Sequence, residues 1–253
     1  MKIVVTGGRG PLGADVVRRL EGRGATVISA SRRTGVDLAT GEGLEAALKG
    51  ANCVVHAATN RLRHRTVDLV GTRRMITILA NQPTPAHVVY VSIVGCDRVP
   101  QRYYRTKYEC ELDLAGSGLP VTVMRATQFH TLIIEIAQVA MWGRLGVVAK
   151  GMRFQPCDHH WVAAELADAA LGSTPPAYRR VPDLAGPEQI SLAEALTLLR
   201  AKKGKAAPRL ITLPAIGDTL RAYAAGANLP DPDTKIGGFS FREFLERWSR
   251  STS

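Results

Sequence analysis

Short runs of β-branched and apolar residues alternate along this chain with segments whose apolar positions recur every three or four residues. KIVVT precedes LGADVVRRLEGRG, ATVISAS precedes GEGLEAALKG, and NCVVHAA precedes VDLVGTRRMITILA. HVVYVS, RYYRTKYECELDLAGSG and PVTVMRAT continue the series. The first kind of segment predicts strands and the second amphipathic helices. Their alternation predicts βαβ units and a mostly parallel sheet with helices on both faces. The strands are almost continuously apolar, as strands covered on both faces are. The expected fold class is α/β, a doubly wound parallel sheet.

Beyond about residue 126 the regularity loosens. FHTLIIEIAQVAMWG predicts an apolar helix, LGVVA a short strand and HWVAAELADAALG a further helix, with turns at Pro175, Pro176 and Pro187. SLAEALTLLRAKKG and SFREFLERWS predict two more helices, and AGANLPDPDTKIGG is the most loop-like stretch. The expected organisation is a regular core over 1–128 and a C-terminal part over 129–253. That part completes the sheet edge and forms a small lobe, the two making one folding unit.

Composition narrows the class. Of 253 residues, 45% are hydrophobic and 22% charged, ordinary values for a globular protein in water. TLIIEIAQVAMW, the longest apolar stretch, is interrupted by Glu135 and too short to cross a bilayer. The chain opens almost directly on a strand, so no secretory leader and a cytoplasmic location are expected. Cys53, Cys96, Cys110 and Cys157 are widely spaced, which points to neither disulfides nor zinc. The formal charge of +11 favours anionic partners. The basic residues read as dispersed, with no aromatic-rich nucleic-acid motif, so nucleic acid is not an expected partner. A small-molecule substrate, no membrane partner and a monomer or homodimer are expected.

The chemistry begins at Thr6-Gly7-Gly8-Arg9-Gly10-Pro11-Leu12-Gly13, a T-G-x-x-G-x-x-G turn between the first strand and a helix opening at Pro11. Unpaired N–H groups and the positive dipole end of that helix attract a pyrophosphate, and glycines let it approach the backbone. This makes 1–128 a dinucleotide-binding core of Rossmann type. The second strand ends in ISASRR, where such folds meet the adenosine ribose. An acid there would bind a free 2′-hydroxyl, whereas Ser31, Arg32 and Arg33, with Arg9 nearby, suit a 2′-phosphate. The expected cofactor is NADP(H) in preference to NAD(H). His159 and His160 are adjacent and form poor ligand geometry, so no metal is expected.

Further motifs follow in order: VDL at 36–38, HAAT at 56–59, YVSIVG at 90–95, YYRTK at 103–107, RATQFH at 125–130, QPCDHHWVAAELADAAL at 155–171 and LAGPEQISL at 184–192. Together with the glycine turn they resemble atypical short-chain dehydrogenase/reductases, most of all the NmrA-like branch of NAD(P)-binding proteins, over roughly residues 1–200. The resemblance implies that Gly7, Gly10 and Gly13 hold the pyrophosphate and Arg32 the 2′-phosphate. It places Asp37 and Leu38 beside the adenine, and Ala57, Ala58 and Thr59 along the path to the nicotinamide ribose. Ser92 would end the strand under the nicotinamide and Lys107 would bond its ribose. Ala126, Thr127, Gln128 and Phe129 would border the ring, with His130 and Trp142 near a substrate.

Under that resemblance the catalytic residues are Tyr103, Lys107 and Ser92. A Y-x-x-x-K pair sits one helical turn apart, so the ammonium is expected to lower the phenol pKa towards neutrality. Such a phenol protonates a carbonyl oxygen while the nicotinamide gives hydride, with Ser92 bonded to the same oxygen. The expected function is an NADPH-dependent reductase acting on a small or medium carbonyl, quinone or related unsaturated compound. Two features favour an alternative, a non-catalytic NADP(H)-binding redox sensor: the interval from Ser92 to Tyr103 is short, and the resembling branch contains such sensors. In that reading Tyr103 is a half-buried aromatic and Lys107 pairs with Glu111. A sugar-nucleotide epimerase is disfavoured because the C-terminal lobe looks small for a nucleotide sugar.

Overall fold

A computed structural model describes residues 1–248; Ser249, at the end of the expected last helix, lies outside them. The chain runs β1 (Lys2–Thr6), α1 (Pro11–Glu21), β2 (Thr26–Ala30), α2 (Leu44–Leu48), β3 (Cys53–His56), α3 (Gly71–Ala80), β4 (His87–Ile93), α4 (Arg102–Ala115) and β5 (Val121–Ala126). There follow α5 (His130–Val139), β6 (Met141–Trp142), β7 (Leu145–Ala149), β8 (Arg153–Phe154), α6 (His159–Leu171), β9 (Arg179–Arg180), β10 (Leu184–Ala185) and β11 (Ile190–Ser191). The chain continues through α7 (Leu192–Lys202), β12 (Arg209–Leu213), α8 (Asp218–Ala224), β13 (Lys235–Ile236) and α9 (Phe241–Arg247). Two compact units divide it: 1–93 with 102–125 and 160–182, and 94–101 with 126–159 and 183–248.

In the first unit the sheet order is β5-β4-β3-β1-β2, and β9 pairs with β5. The pairs are parallel, with Val4 facing Ile28 on one side and Val54 on the other. The apolar runs explain this. Every residue of β3 and β5 is buried, whereas β2, at the edge, is half-buried over Val27–Ser29. A core of Val4, Val54, Val88 and Val123 packs with Met75, Leu79 and Leu114 from the helices. Strand order reverses between β1 and β3, the switch point at whose carboxyl end such sheets receive ligands.

In the second unit Leu184 pairs with Ala126 and β13 pairs with β10. β8 and β11 form a short antiparallel pair. The expected helix FHTLIIEIAQVAMWG stops at Val139, because Met141 and Trp142 instead pair with Gly146 and Leu145 across a turn in which Gly143 has φ +60°. β12, in a stretch with no expected strand, adds alongside β7 in parallel. Capping boxes Ser191–Glu194 and Ser240–Glu243 start α7 and α9.

Candidate active site

The turn after β1 is shaped by three glycines that the fold itself requires, Gly7, Gly8 and Gly13; a Cβ on Gly8 would lie 2.9 Å from the Val5 carbonyl oxygen. Gly7 has φ +70°, and a Cβ on it would lie 2.7 Å from the Ala58 Cα. A Cβ on Gly13 would lie 2.2 Å from the Gly7 carbonyl oxygen, so α1 packs directly on the turn. Gly10 differs. Its backbone, at φ −77° and ψ 166°, suits any residue, and a Cβ would meet only the Gly7 oxygen, at 3.3 Å. Conformation therefore does not explain the glycine at 10; a Cβ there would crowd the Gly7 oxygen, which accepts the Gly10 N–H at 2.8 Å, and would also cover backbone that a ligand could approach. Gly10 is the N-cap of α1 without a side-chain cap, and the first turn of α1 holds no acid. That amino end fits a pyrophosphate.

Beyond β2, Ser31 caps a 3₁₀ turn over Arg32–Thr34, in which Thr34 donates to the Ser29 carbonyl at 2.7 Å. Arg32 and Arg33 are exposed, and among the described residues no ion pair engages them or Arg9. Asp37 accepts the Ala39 N–H at 2.7 Å, and Arg74 of α3 donates to the Leu38 carbonyl at 3.2 Å. The 37–38 loop is thereby fixed to α3.

A hydroxyl chain stands at the carboxyl end of β3. Thr59 donates to Asp68 Oδ1 at 2.6 Å, and its oxygen lies 2.7 Å from the Tyr103 hydroxyl. Thr59 has one proton, committed to Asp68, so Tyr103 is the donor to Thr59. Asp68 sits in a π-helical turn, Arg65–Val70, leading into α3, and its Oδ2 accepts the Asn60 N–H at 3.0 Å. Lys107 Nζ lies 4.0 Å from Asp68 Oδ1, donates to the Val91 carbonyl at 2.9 Å and stands 4.2 Å from the Tyr90 ring centre.

Burial raises the Asp68 carboxyl pKa against the opposing pull of Lys107 and the Thr59 and Asn60 hydrogen bonds. Burial and the Asp68 charge also raise the Tyr103 phenol. This corrects the expectation that Lys107 lowers the phenol towards neutrality: the ammonium is held by Asp68, Val91 and Tyr90. The alternative pairing of Lys107 with Glu111 is not formed either, since Glu111 binds Arg125 at 2.7 Å. Ser92 is buried at the end of β4.

A second chain backs the first. Thr72 donates to the Asp68 carbonyl at 2.6 Å, so at 2.9 Å it accepts from His56 Nε2, and His56 Nδ1 is left to accept from Thr6 at 2.6 Å. The Thr6 oxygen takes the Ala58 N–H at 3.3 Å, which holds Ala57–Thr59 against the glycine turn. This pattern needs a neutral imidazole. Burial and Lys107 push the His56 pKa down to about 3. The sequence carries no local signal that marks Asp68, His56 or Thr72 as functional.

In the second unit, Ala126, Thr127 and Gln128 are buried, and Phe129 meets His159 edge-on at 6.2 Å. The Thr127 hydroxyl is buried without a hydrogen-bond partner among the described residues. His130 is 1% exposed, stacked on Phe244 at 4.8 Å and bonded to the Phe239 carbonyl at 3.0 Å. Its ring is packed by these contacts, and its Nδ1 has no hydrogen-bond partner among the described residues. Trp142 is 86% exposed in β6. In the first unit His160 pairs with Asp15 of α1, a partner that neighbouring sequence did not reveal.

Residues 3–94 match the NAD dependent epimerase/dehydratase family. No curated protein sequence matches the chain. Among solved structures, an NADPH-dependent quinone oxidoreductase from Escherichia coli complexed with NADPH is similar at 18% identity and TM-score 0.76, over 97% of this chain and 99% of that one. A nucleoside-diphosphate-sugar epimerase from Staphylococcus aureus is similar at 15% identity and TM-score 0.74, over 97% and 100%. A UDP-glucose 4-epimerase from Thermus thermophilus complexed with NAD is similar at 19% identity and TM-score 0.69, over 100% of both chains. The fold is thus a Rossmann-like α/β fold shared with these nicotinamide-cofactor-bound structures, and residues 3–94 match the NAD dependent epimerase/dehydratase family.

Proposed function

We propose that this protein is an NADPH-dependent oxidoreductase that reduces a small or medium carbonyl, a quinone or a related unsaturated compound. The observation that carries this reading is the Tyr103–Thr59–Asp68 hydrogen-bonded chain beside Lys107, at the carboxyl end of β3 next to the glycine turn. The phenol, with its pKa raised, stays protonated at neutral pH and holds its proton ready for an acceptor oxygen. Thr59, held by the Asp68 carboxylate, accepts from the phenol and fixes its position. A bound reduced nicotinamide would supply the hydride, and proton and hydride together convert a carbonyl to an alcohol.

Gly7, Gly8, Gly10 and Gly13 with the amino end of α1 would hold the pyrophosphate. Unpaired Arg32 and Arg33 would neutralise a 2′-phosphate, which supports NADP(H) over NAD(H). The test follows NADPH absorbance with quinones, aldehydes, ketones and UDP-glucose as candidates, comparing the natural protein with Tyr103→Phe after both are shown to bind cofactor. Acceptor-dependent oxidation that collapses in the variant is the expected result. Tight cofactor binding without turnover would replace the reductase with a redox sensor, and conversion of UDP-glucose without net NADPH loss would replace it with an epimerase.

A further inference from the structure

The β12-β7-β6 sheet of the second unit covers α7 with one face only. On that inner face Val148 is 7% exposed, and a Cβ on Gly146 would lie 2.9 Å from Leu196 of α7. On the outer face, strand pairing aligns Trp142 with Leu145, Ile211 with Val147 and Leu213 with Ala149. A sheet face open to water ordinarily carries polar side chains. Here Trp142 is 86% exposed and Leu145, Val147, Ile211 and Leu213 are each more than 40% exposed. Val139 and Ile216 flank the face at 90% and 72%. A contiguous apolar surface of this kind marks an interaction site.

Its surroundings carry charge of one sign. No Asp or Glu occurs between Gln138 and Cys157 or between Ala195 and Gly217. Arg144, Lys150, Lys203, Lys205 and Arg209 are exposed in those stretches, and no ion pair among the described residues engages them. Arg200 donates to the Gly143 carbonyl at 3.0 Å and also to the Ala206 carbonyl, tying the lysine loop to the β6–β7 turn. The fold thus concentrates basic residues that read as dispersed in the sequence.

We propose that this face docks on the surface of an anionic lipid bilayer, with Trp142, Leu145, Val147, Ile211 and Leu213 entering the headgroup boundary and the basic rim meeting lipid phosphates. Apolar residues including tryptophan, ringed by lysine and arginine without acid, are the composition that membrane surfaces select. No helix among the described residues is long and apolar enough to cross a membrane, so the contact is peripheral. A second copy of the chain is disfavoured, because it would set two uncompensated basic rims against each other. A nucleic acid offers the aliphatic side chains no apolar counterpart.

Flotation of the cofactor-free 253-residue chain with vesicles tests this. The protein is expected to float with phosphatidylglycerol/phosphatidylcholine vesicles and not with phosphatidylcholine alone. A Lys203→Glu/Lys205→Glu/Arg209→Glu variant should lose about a hundredfold in partition coefficient. Trp142→Ser/Ile211→Ser should lose about tenfold or more while keeping its circular dichroism and melting temperature. Absence of flotation with either vesicle overturns the proposal. So does unchanged flotation of the Trp142/Ile211 variant, which would reduce the effect to adsorption by charge. A dimer in sedimentation velocity that the same variant converts to monomer would assign the face to a second copy, and binding of polyglutamate that matches anionic vesicles would assign it to an acidic protein.

Discussion

Asp68 and Lys107 face each other at 4.0 Å with side chains only 1% and 4% exposed. Burying two charges is costly, and removing one of them leaves the other uncompensated, at about 3–5 kcal/mol. Asp68→Ala should therefore destabilise the protein by about that amount in urea unfolding, because Lys107 keeps only the Val91 carbonyl and the Tyr90 ring. Asp68→Asn retains an acceptor for Thr59 and removes the charge that holds the phenol up. The Tyr103 phenol pKa should then fall, read as the ultraviolet phenolate titration that disappears in Tyr103→Phe. A Tyr103 titration unmoved by Asp68→Asn would detach the carboxylate from the phenol.

Tyr103→Phe removes the proton donor and leaves Thr59 bonded to Asp68. Loss of a general acid lowers turnover by about 10²–10⁴-fold. The expected pattern is that drop in kcat with NADPH affinity preserved. A fall confined to KM would make Tyr103 a binding residue.

What was legible in the sequence was local. Gly7, Gly10 and Gly13 lie within one turn, Tyr103 and Lys107 within one helical turn, and the apolar strand runs announce burial whatever their order. The rest depends on long-range assembly. Asp68 joins Tyr103 only because β3, the π-helical turn and α4 come together, and no spacing rule connects residues so placed. The partner that binds Lys107 therefore came from another element, where helical periodicity offered Glu111. His130 follows a motif segment and invites a functional reading, yet Phe244, from a helix without motif, covers it. β12 was missed because RLITL follows a basic, proline-bearing loop and pairs in parallel with a distant strand.

Gly10 and Gly13 differ in how tightly the fold encloses them. Gly13→Ala places a methyl 2.2 Å from the Gly7 oxygen, which has no room to move without shifting the turn. It should lower the melting temperature and weaken NADPH binding together. Gly10→Ala crowds that same oxygen only at 3.3 Å, so its melting temperature should fall by less than that of Gly13→Ala while NADPH affinity falls by tenfold or more. Calorimetry with and without NADPH distinguishes the two. Equal affinity in Gly10→Ala would mean that no phosphate approaches this backbone.

Three buried histidines make the fold acid-sensitive. Burial depresses His56 to about 3, and His87 and His130 each to about 4. Between those values and the ordinary pKa of about 6.5, the unfolded chain binds protons that the folded one refuses. Stability accordingly falls as pH drops from about 6.5 towards 4, by on the order of 2 kcal/mol per histidine at pH 5. Urea midpoints measured from pH 7 to pH 5 should decline, and His87→Asn should flatten the decline by removing one contributor. A midpoint independent of pH over that interval would mean these rings are charged or exposed in the folded protein.

In the proposed function cofactor choice would rest on Arg32 and Arg33, exposed on the 3₁₀ turn that Ser31 caps. A 2′-phosphate carries charge that the unphosphorylated ribose lacks, so arginines act on NADPH and leave NADH nearly untouched. Arg32→Ala/Arg33→Ala should weaken NADPH by tenfold or more and change NADH by little, narrowing the ratio of the two dissociation constants. The same loss should be smaller at high salt, where the charges are already screened. Because the 3₁₀ turn is held by Ser31 and Thr34 rather than by the arginine side chains, the double variant should keep its melting temperature. If both cofactors weaken equally, the arginines act on the shared diphosphate, and the selectivity lies elsewhere in the turn.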